Sequence, residues 1–135
     1  MDIQTVKDLM EECKWGALAT TDGEKVGVRP MGALKWFGNE LWCATLAGSD
    51  KVKQLSIVPN AEYCFCNRDG LQARISGHCV VSSDNADKRR LYEALPMLKQ
   101  FFPDPEAPEY VVIKMTPERV RVMTMEEEKY HDVEL

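Results

Sequence analysis

The stretch "GALATTDGEKVGVRPMGALKWFGNELWCATLA", Gly16 to Ala47, decides the fold. It holds three strand-prone runs, broken at Asp22-Gly23 and again at Phe37-Gly38-Asn39. Both breaks are strong turn signals between β-prone runs, which predicts a meander of hairpins. Tight turns favour antiparallel pairing, because a parallel crossover needs a longer connection.

On the N-terminal side, Val6, Leu9, Met10 and Cys13 recur at helical spacing, with Thr5 as the candidate cap. That predicts one amphipathic helix ending before Trp15-Gly16. On the C-terminal side, "SDKVKQLSIV" reads as a short helix stopped by Pro59, followed by the strand candidate "AEYCFCN" and a break at Asp69-Gly70. "LQARISGHCVVSS" reads as a long strand interrupted at Gly77, and Asn85 to Leu95 as a helix. Pro96 to Pro108 reads as an irregular connection, and "YVVIKMTPERVRVM" as a last hairpin turning at Thr116-Pro117-Glu118. The sum is about six or seven strands with two or three short helices, for which a small barrel is the economical closure. The domain is expected over residues 1–125, with residues 126–135 as an acidic tail that has no apolar face long enough to dock.

Composition narrows the function. With 135 residues, 44% of them hydrophobic, the chain can bury one real core. A formal net charge of -5 argues against a nucleic-acid partner, since phosphate contacts need a basic surface. No apolar run is long enough to span a membrane and no signal-peptide centre is present, so a cytoplasmic location is expected. The cysteines at 13, 43, 64, 66 and 79 are odd in number and scattered, which predicts reduced, mostly buried thiols and no metal site. No triad context surrounds a serine or either histidine, and neither a Walker loop nor a dinucleotide fingerprint follows a strand. The catalytic residues are therefore left unassigned.

One segment carries chemistry. In "TLAGSDKVKQL", Thr45 to Leu55, a flexible Ala-Gly-Ser run precedes a helix that opens with two lysines. If Ser49 caps that helix, the remaining free N–H groups and a lysine make a phosphate site. An ordinary capped surface helix with solvated lysines fits the same pattern. On a helix, residues two apart point about 200° apart, so only Lys51 is assigned to an anion and Lys53 is left to solvent or a partner surface.

In their order, the helix before "WGALATTDG", the "VRPM" strand, "LWCATLAGSDKVKQL", "PNAEYCFCN", "QARISG" and "VVIKMTPERVRVM" resemble the FMN-binding split barrel of the pyridoxamine 5'-phosphate oxidase-like family. The likeness is greatest to its short branch of general stress and nitroimidazole-resistance type proteins. It implies a mainly β (α+β) fold, an antiparallel split β-barrel with short flanking helices. The resemblance further implies that Arg29, Pro30 and Met31 lie along the flavin, Arg29 supplying positive charge. Ala44 and Thr45 would follow on the next strand, Thr45 donating a hydrogen bond, and Ser49 with Lys51 would grip the phosphate. Gln72 matches a glutamine that in relatives reaches the partner subunit's flavin, which implies a homodimer with flavin sites at the interface.

The implied activity is that of an FMN-dependent oxidoreductase passing electrons from a reduced nicotinamide to a small-molecule acceptor. A non-catalytic flavin- or haem-binding stress or sensor protein is the alternative, and a dimeric barrel without a ligand is a further one. The chain departs from the true oxidase: its ending "VRVMTMEEEKYHDVEL" lacks the substrate-phosphate Arg motif and C-terminal Trp, and Lys35 is offset by one from the substrate-side lysine. Asp50 is the other departure, its charge opposing phosphate binding unless it faces solvent.

Overall fold

A computed structural model describes all 135 residues. Helix α1 (Ile3–Cys13) is capped by Asp2, whose carboxylate accepts from the Thr5 N–H at 3.0 Å and the Thr5 hydroxyl at 3.1 Å. The cap thus lies three residues before the expected Thr5, which sits inside the first turn. The opening stretch yields four strands where three were expected: β1 (Gly16–Thr21), β2 (Val26–Met31), β3 (Leu34–Phe37) and β4 (Glu40–Leu46). The unanticipated break is at Gly32-Ala33, where Ala33 takes a left-handed φ of 54°. Then follow α2 (Asp50–Ile57), β5 (Asn60–Cys66), β6 (Gln72–Ser82), α3 (Asn85–Ala94), a 3₁₀ turn (Pro96–Gln100), β7 (Tyr110–Met123) and β8 (His131–Val133).

All eight strands join one antiparallel sheet in the order β2-β1-β5-β6-β7-β4-β3, with β8 added on β7. β2 and β3 stand at opposite ends of that order, yet only Gly32 and Ala33 separate them in sequence. Three Cα steps reach at most about 11 Å, whereas seven strands laid flat would span roughly 29 Å. The two-residue connection therefore forces the sheet to curl, and the result is the expected antiparallel split barrel.

Two further expectations change. "YVVIKMTPERVRVM" is one strand: Thr116 and Pro117 stay paired with His78 and Gly77, and the expected turn is a bulge at Glu118, where the register with β6 shifts. A Cβ on Gly77 would strike the Thr116 carbonyl oxygen, so glycine there permits the close approach. The tail also docks: β8 pairs Val133 with Val120 and buries Val133 in the core, where a single apolar residue suffices because the β7 edge supplies the backbone partners.

Strand alternation builds the main core. In β5, Ala61, Tyr63 and Phe65 point inward while Glu62 and Cys64 face out, and α1 plugs the barrel with Val6, Leu9 and Met10. A second cluster packs α3 and the 3₁₀ turn on the outer face of β4 and β7, through Trp42, Leu91, Leu98, Phe102 and Tyr110. That second cluster supplies one wall of the cleft described next.

Candidate functional site

The curl leaves a cleft of about 400 Å³ between the end of β2, the end of β4, the start of α2 and the segment after α3. Its volume lies in the range typical of small-molecule and cofactor sites. Of the residues expected to bind a cofactor, Pro30, Met31, Ala44, Thr45 and Lys51 line it. β2 and β4 are far apart in the strand order, so only the closed barrel brings Met31 to Thr45.

The polar end is formed by α2. Ser49 occupies the N-cap position, but its hydroxyl donates to the Leu46 carbonyl at 2.8 Å and makes no cap bond. This corrects the expected capping role: the Ala47-Gly48 turn presents Leu46 O to the hydroxyl before any helix N–H. The consequence favours an anion site, since the Asp50, Lys51 and Val52 N–H groups have no partner in the chain and the first helical bond is Lys53 N–H to Ser49 O at 3.3 Å. Lys51 Nζ donates to the buried Thr45 Oγ1 at 2.8 Å, so the lysine arches back over the helix start. Lys53 and Asp50 are exposed.

Arg29 does not line this cleft; it lines a neighbouring hollow with Trp15, Val28 and Pro30. Its Nη1 donates to Thr20 Oγ1 at 2.6 Å and to the Leu18 carbonyl at 3.3 Å, while Thr20 in turn bonds the α2 residue Gln54. Neither Arg29 nor Lys51 forms an ion pair. Burial first, then the Arg29 charge, lowers the Lys51 pKa from the ordinary lysine value. Burial lowers that of Arg29 too, partly offset by Asp50. Two adjacent cations beside unpaired helix N–H groups form a centre short of negative charge.

The opposite end is apolar. Trp15, Met97 and Phe101 line it, and the Trp15 ring lies so close over Gly32 that a Cβ there would come within 2.9 Å of the indole. Gly32 and Ala33 form the floor, and their backbone N–H groups have no partner in the chain, while Ala33 O accepts from Ala44 N–H at 3.3 Å. Sequence reasoning missed these residues. The signal was present in Trp15 directly before a strand glycine and in the Phe101-Phe102 pair inside a Pro-rich segment. Gln72 stays out of the cleft of its own chain: its Oε1 accepts from Tyr130 Oη at 2.7 Å.

With the fold and cleft in place, the family is clear. The chain belongs to the pyridoxamine 5'-phosphate oxidase-like family, whose model matches residues 1–131. No curated protein matches it. Among solved structures it is similar to a NimC/NimA family protein from Clostridium acetobutylicum at 22% identity and a TM-score of 0.85, covering 98% of this chain and 91% of that one. It is likewise similar to general stress protein 26 from Bacillus anthracis, at 20% identity and a TM-score of 0.77 over 96% of this chain and 97% of that one. A pyridoxamine 5'-phosphate oxidase-related, FMN binding protein from Nostoc punctiforme matches at 17% identity and a TM-score of 0.70, covering 96% and 87%. At these identities the likeness is one of fold. No helix is long and apolar enough to cross a membrane.

Proposed function

We propose that the cleft binds FMN and that the protein is an oxidoreductase taking electrons from a reduced nicotinamide and passing them to a small acceptor. The observation that carries the reading is the placement of Lys51 and the unpaired N-terminus of α2 at the polar end of a cleft whose other walls are apolar, with the Arg29 charge near enough to lower the lysine's pKa. A phosphomonoester needs those donors and charges, and a flat ring system needs those walls.

In this reading Lys51 and the Asp50, Lys51 and Val52 N–H groups hold the phosphate, with Thr45 Oγ1 fixing the lysine. Arg29 is held by Thr20 beside Lys51, so its charge serves the phosphate end more than the ring. Pro30, Met31 and Ala44 pack against the ring, and the free N–H groups of Gly32 and Ala33 are donors for its polar edge. The flavin, when bound, supplies the two-electron chemistry, and the protein supplies position, dryness and charge. Trp15, Met97 and Phe101 leave the acceptor side without a cation, which favours an uncharged acceptor over a phosphorylated one.

The site is proposed to be completed in a homodimer. Trp15, Val26 and Val28 are 63%, 78% and 68% exposed, an apolar surface at the β2 edge suited to a second copy. Gln72, which faces away from its own cleft, is then the residue offered to the partner. The test is the absorbance spectrum of the purified protein, followed by titration with FMN and anaerobic mixing with reduced nicotinamides. A flavin spectrum that bleaches on mixing supports the oxidoreductase. A flavin spectrum that persists supports a carrier or sensor, and failure to take up added FMN overturns both. Sedimentation at micromolar concentration showing monomer alone overturns the dimer.

A further inference from the structure

Arg74 of β6 and Arg121 of β7 are direct cross-strand partners on the outer face of the sheet. Like charges placed opposite one another destabilise a strand pair, and two groups offset them here. Glu62 of β5 accepts from Arg74 Nε at 3.0 Å and Nη2 at 2.7 Å, and from Arg121 Nη2 at 3.0 Å. Tyr130, the residue before β8, lays its ring near both guanidiniums, with the ring centre 5.1 Å from Arg74 Cζ and 5.9 Å from Arg121 Cζ. The ring is placed in turn by β8, which pairs with β7 and whose Asp132 accepts from Arg119 Nε at 2.7 Å. One cost is left standing, since Arg121 Nε is buried without a partner. This cluster reaches one further side chain: Tyr130 Oη donates to Gln72 Oε1 at 2.7 Å. An amide has one accepting end and one donating end. With the oxygen taken, Gln72 Nε2 is left as a donor with no partner in the chain.

Gln72 shares its face with the apolar surface at the β2 edge. The cross-strand row Val28, Ala19, Glu62 and Ser76 runs from β2 to β6, as does the row Pro30, Ala17, Cys64 and Arg74. Gln72 stands two residues before Arg74, on the same side of the strand. Three strand spacings, roughly 14 Å, lie between β2 and β6 along these rows, so Gln72 is remote from the cleft residue Pro30 of its own chain. A two-fold interface is reciprocal: where one copy's Gln72 meets the other's cleft, the converse contact forms by symmetry. We propose that Tyr130 is a positioning residue for the flavin site of the partner copy. By holding the Gln72 oxygen it turns the amide NH2 outward, as a hydrogen-bond donor to an acceptor atom of the flavin ring. The inference rests on the FMN and homodimer reading above. It gives a purpose to the like-charged pair and the docked tail, which together hold one phenol in place.

The test is a double-mutant cycle on the full-length protein with Tyr130→Phe, Gln72→Ala and the double variant, each titrated with FMN and with riboflavin. Tyr130→Phe removes the hydroxyl and keeps the ring beside Arg74 and Arg121, so its Tm and its sedimentation as a dimer are expected to match wild type. Gln72→Ala is expected to weaken both ligands alike by roughly 2- to 12-fold, the loss of one hydrogen bond to the ring. Tyr130→Phe should weaken both by no more than that, and should add nothing in the Gln72→Ala background. A merely structural tyrosine would keep its effect in that background, and such a result overturns the proposal. Wild-type affinity in Tyr130→Phe beside a loss in Gln72→Ala also overturns it, while leaving the dimer reading intact. Wild-type affinity in both single variants removes Gln72 from the flavin site, and the proposal falls with that assignment. A Tyr130→Phe protein that sediments as monomer overturns it too, because the residue then acts on assembly.

Discussion

Replacing Lys51 by alanine tests the proposed phosphate site most directly. The side chain arches over the helix start to Thr45 Oγ1, so its loss removes one cation from beside the free N–H groups of α2 and leaves the backbone path intact. A charge-assisted hydrogen bond in such a setting contributes about 1.5–3 kcal/mol, which corresponds to a Kd for FMN weaker by roughly 10- to 150-fold. Flavin fluorescence quenching would measure it, with riboflavin as the internal comparison because it lacks the phosphate. The expected pattern is a large loss for FMN, little change for riboflavin, and no change with either ligand in Lys53→Ala, whose side chain is exposed. Equal affinities for FMN in wild type and Lys51→Ala would refute the assignment. An equal loss with both ligands would show that the lysine acts through the shape of the cleft, not through the phosphate.

The lowered Lys51 pKa gives a pH dependence of defined sign: an anion stabilises the charged amine, so FMN affinity is held below the free-state pKa and falls as pH rises through it, starting below the ordinary lysine range. Titrations across alkaline pH should show this fall in wild type and a flatter profile in Lys51→Ala. Gly77→Ala drives a Cβ into the Thr116 carbonyl and is expected to cost about 1–3 kcal/mol, or roughly 4–10 °C in Tm; a thermal melt matching wild type would mean the bulge yields freely. Phe101→Ala should leave Tm nearly unchanged, since the ring is 68% exposed, while weakening binding of FMN and riboflavin alike. An unchanged riboflavin titration would remove Phe101 from the ligand wall.

Local patterns revealed most elements and few of their relations. The turns at Asp22-Gly23 and Phe37-Gly38 and the alternation in "AEYCFC" are short-range signals, and they are where strands end and which side faces in. Thr116-Pro117-Glu118 misleads because a bulge at Glu118 and a hairpin turn draw on the same residue types; only the pairing of Pro117 with Gly77 on another strand separates them. The docking of Val133 was hidden for a similar reason, as three residues make a strand only when β7 offers an edge. At the cleft, Pro30, Met31, Ala44, Thr45 and Lys51 could be named from motif order, whereas Trp15, Met97 and Phe101 come from segments whose meeting depends on closure.

The connection Gly32-Ala33 shows why fold and site are hard to separate in this chain. It is short because the barrel must close between β2 and β3, and its tightness leaves Ala33 in a left-handed conformation that ordinary residues adopt at a cost of roughly 1–2 kcal/mol. The same tightness leaves two backbone N–H groups unpaired on the cleft floor and lets the Trp15 ring rest on Gly32. A longer loop would relieve the strain, but it would also let the β2 and β4 ends separate, and with them Met31 from Thr45. The strain at Ala33 is therefore bound to the geometry that makes a cleft at all, which is where stored backbone strain is expected to persist.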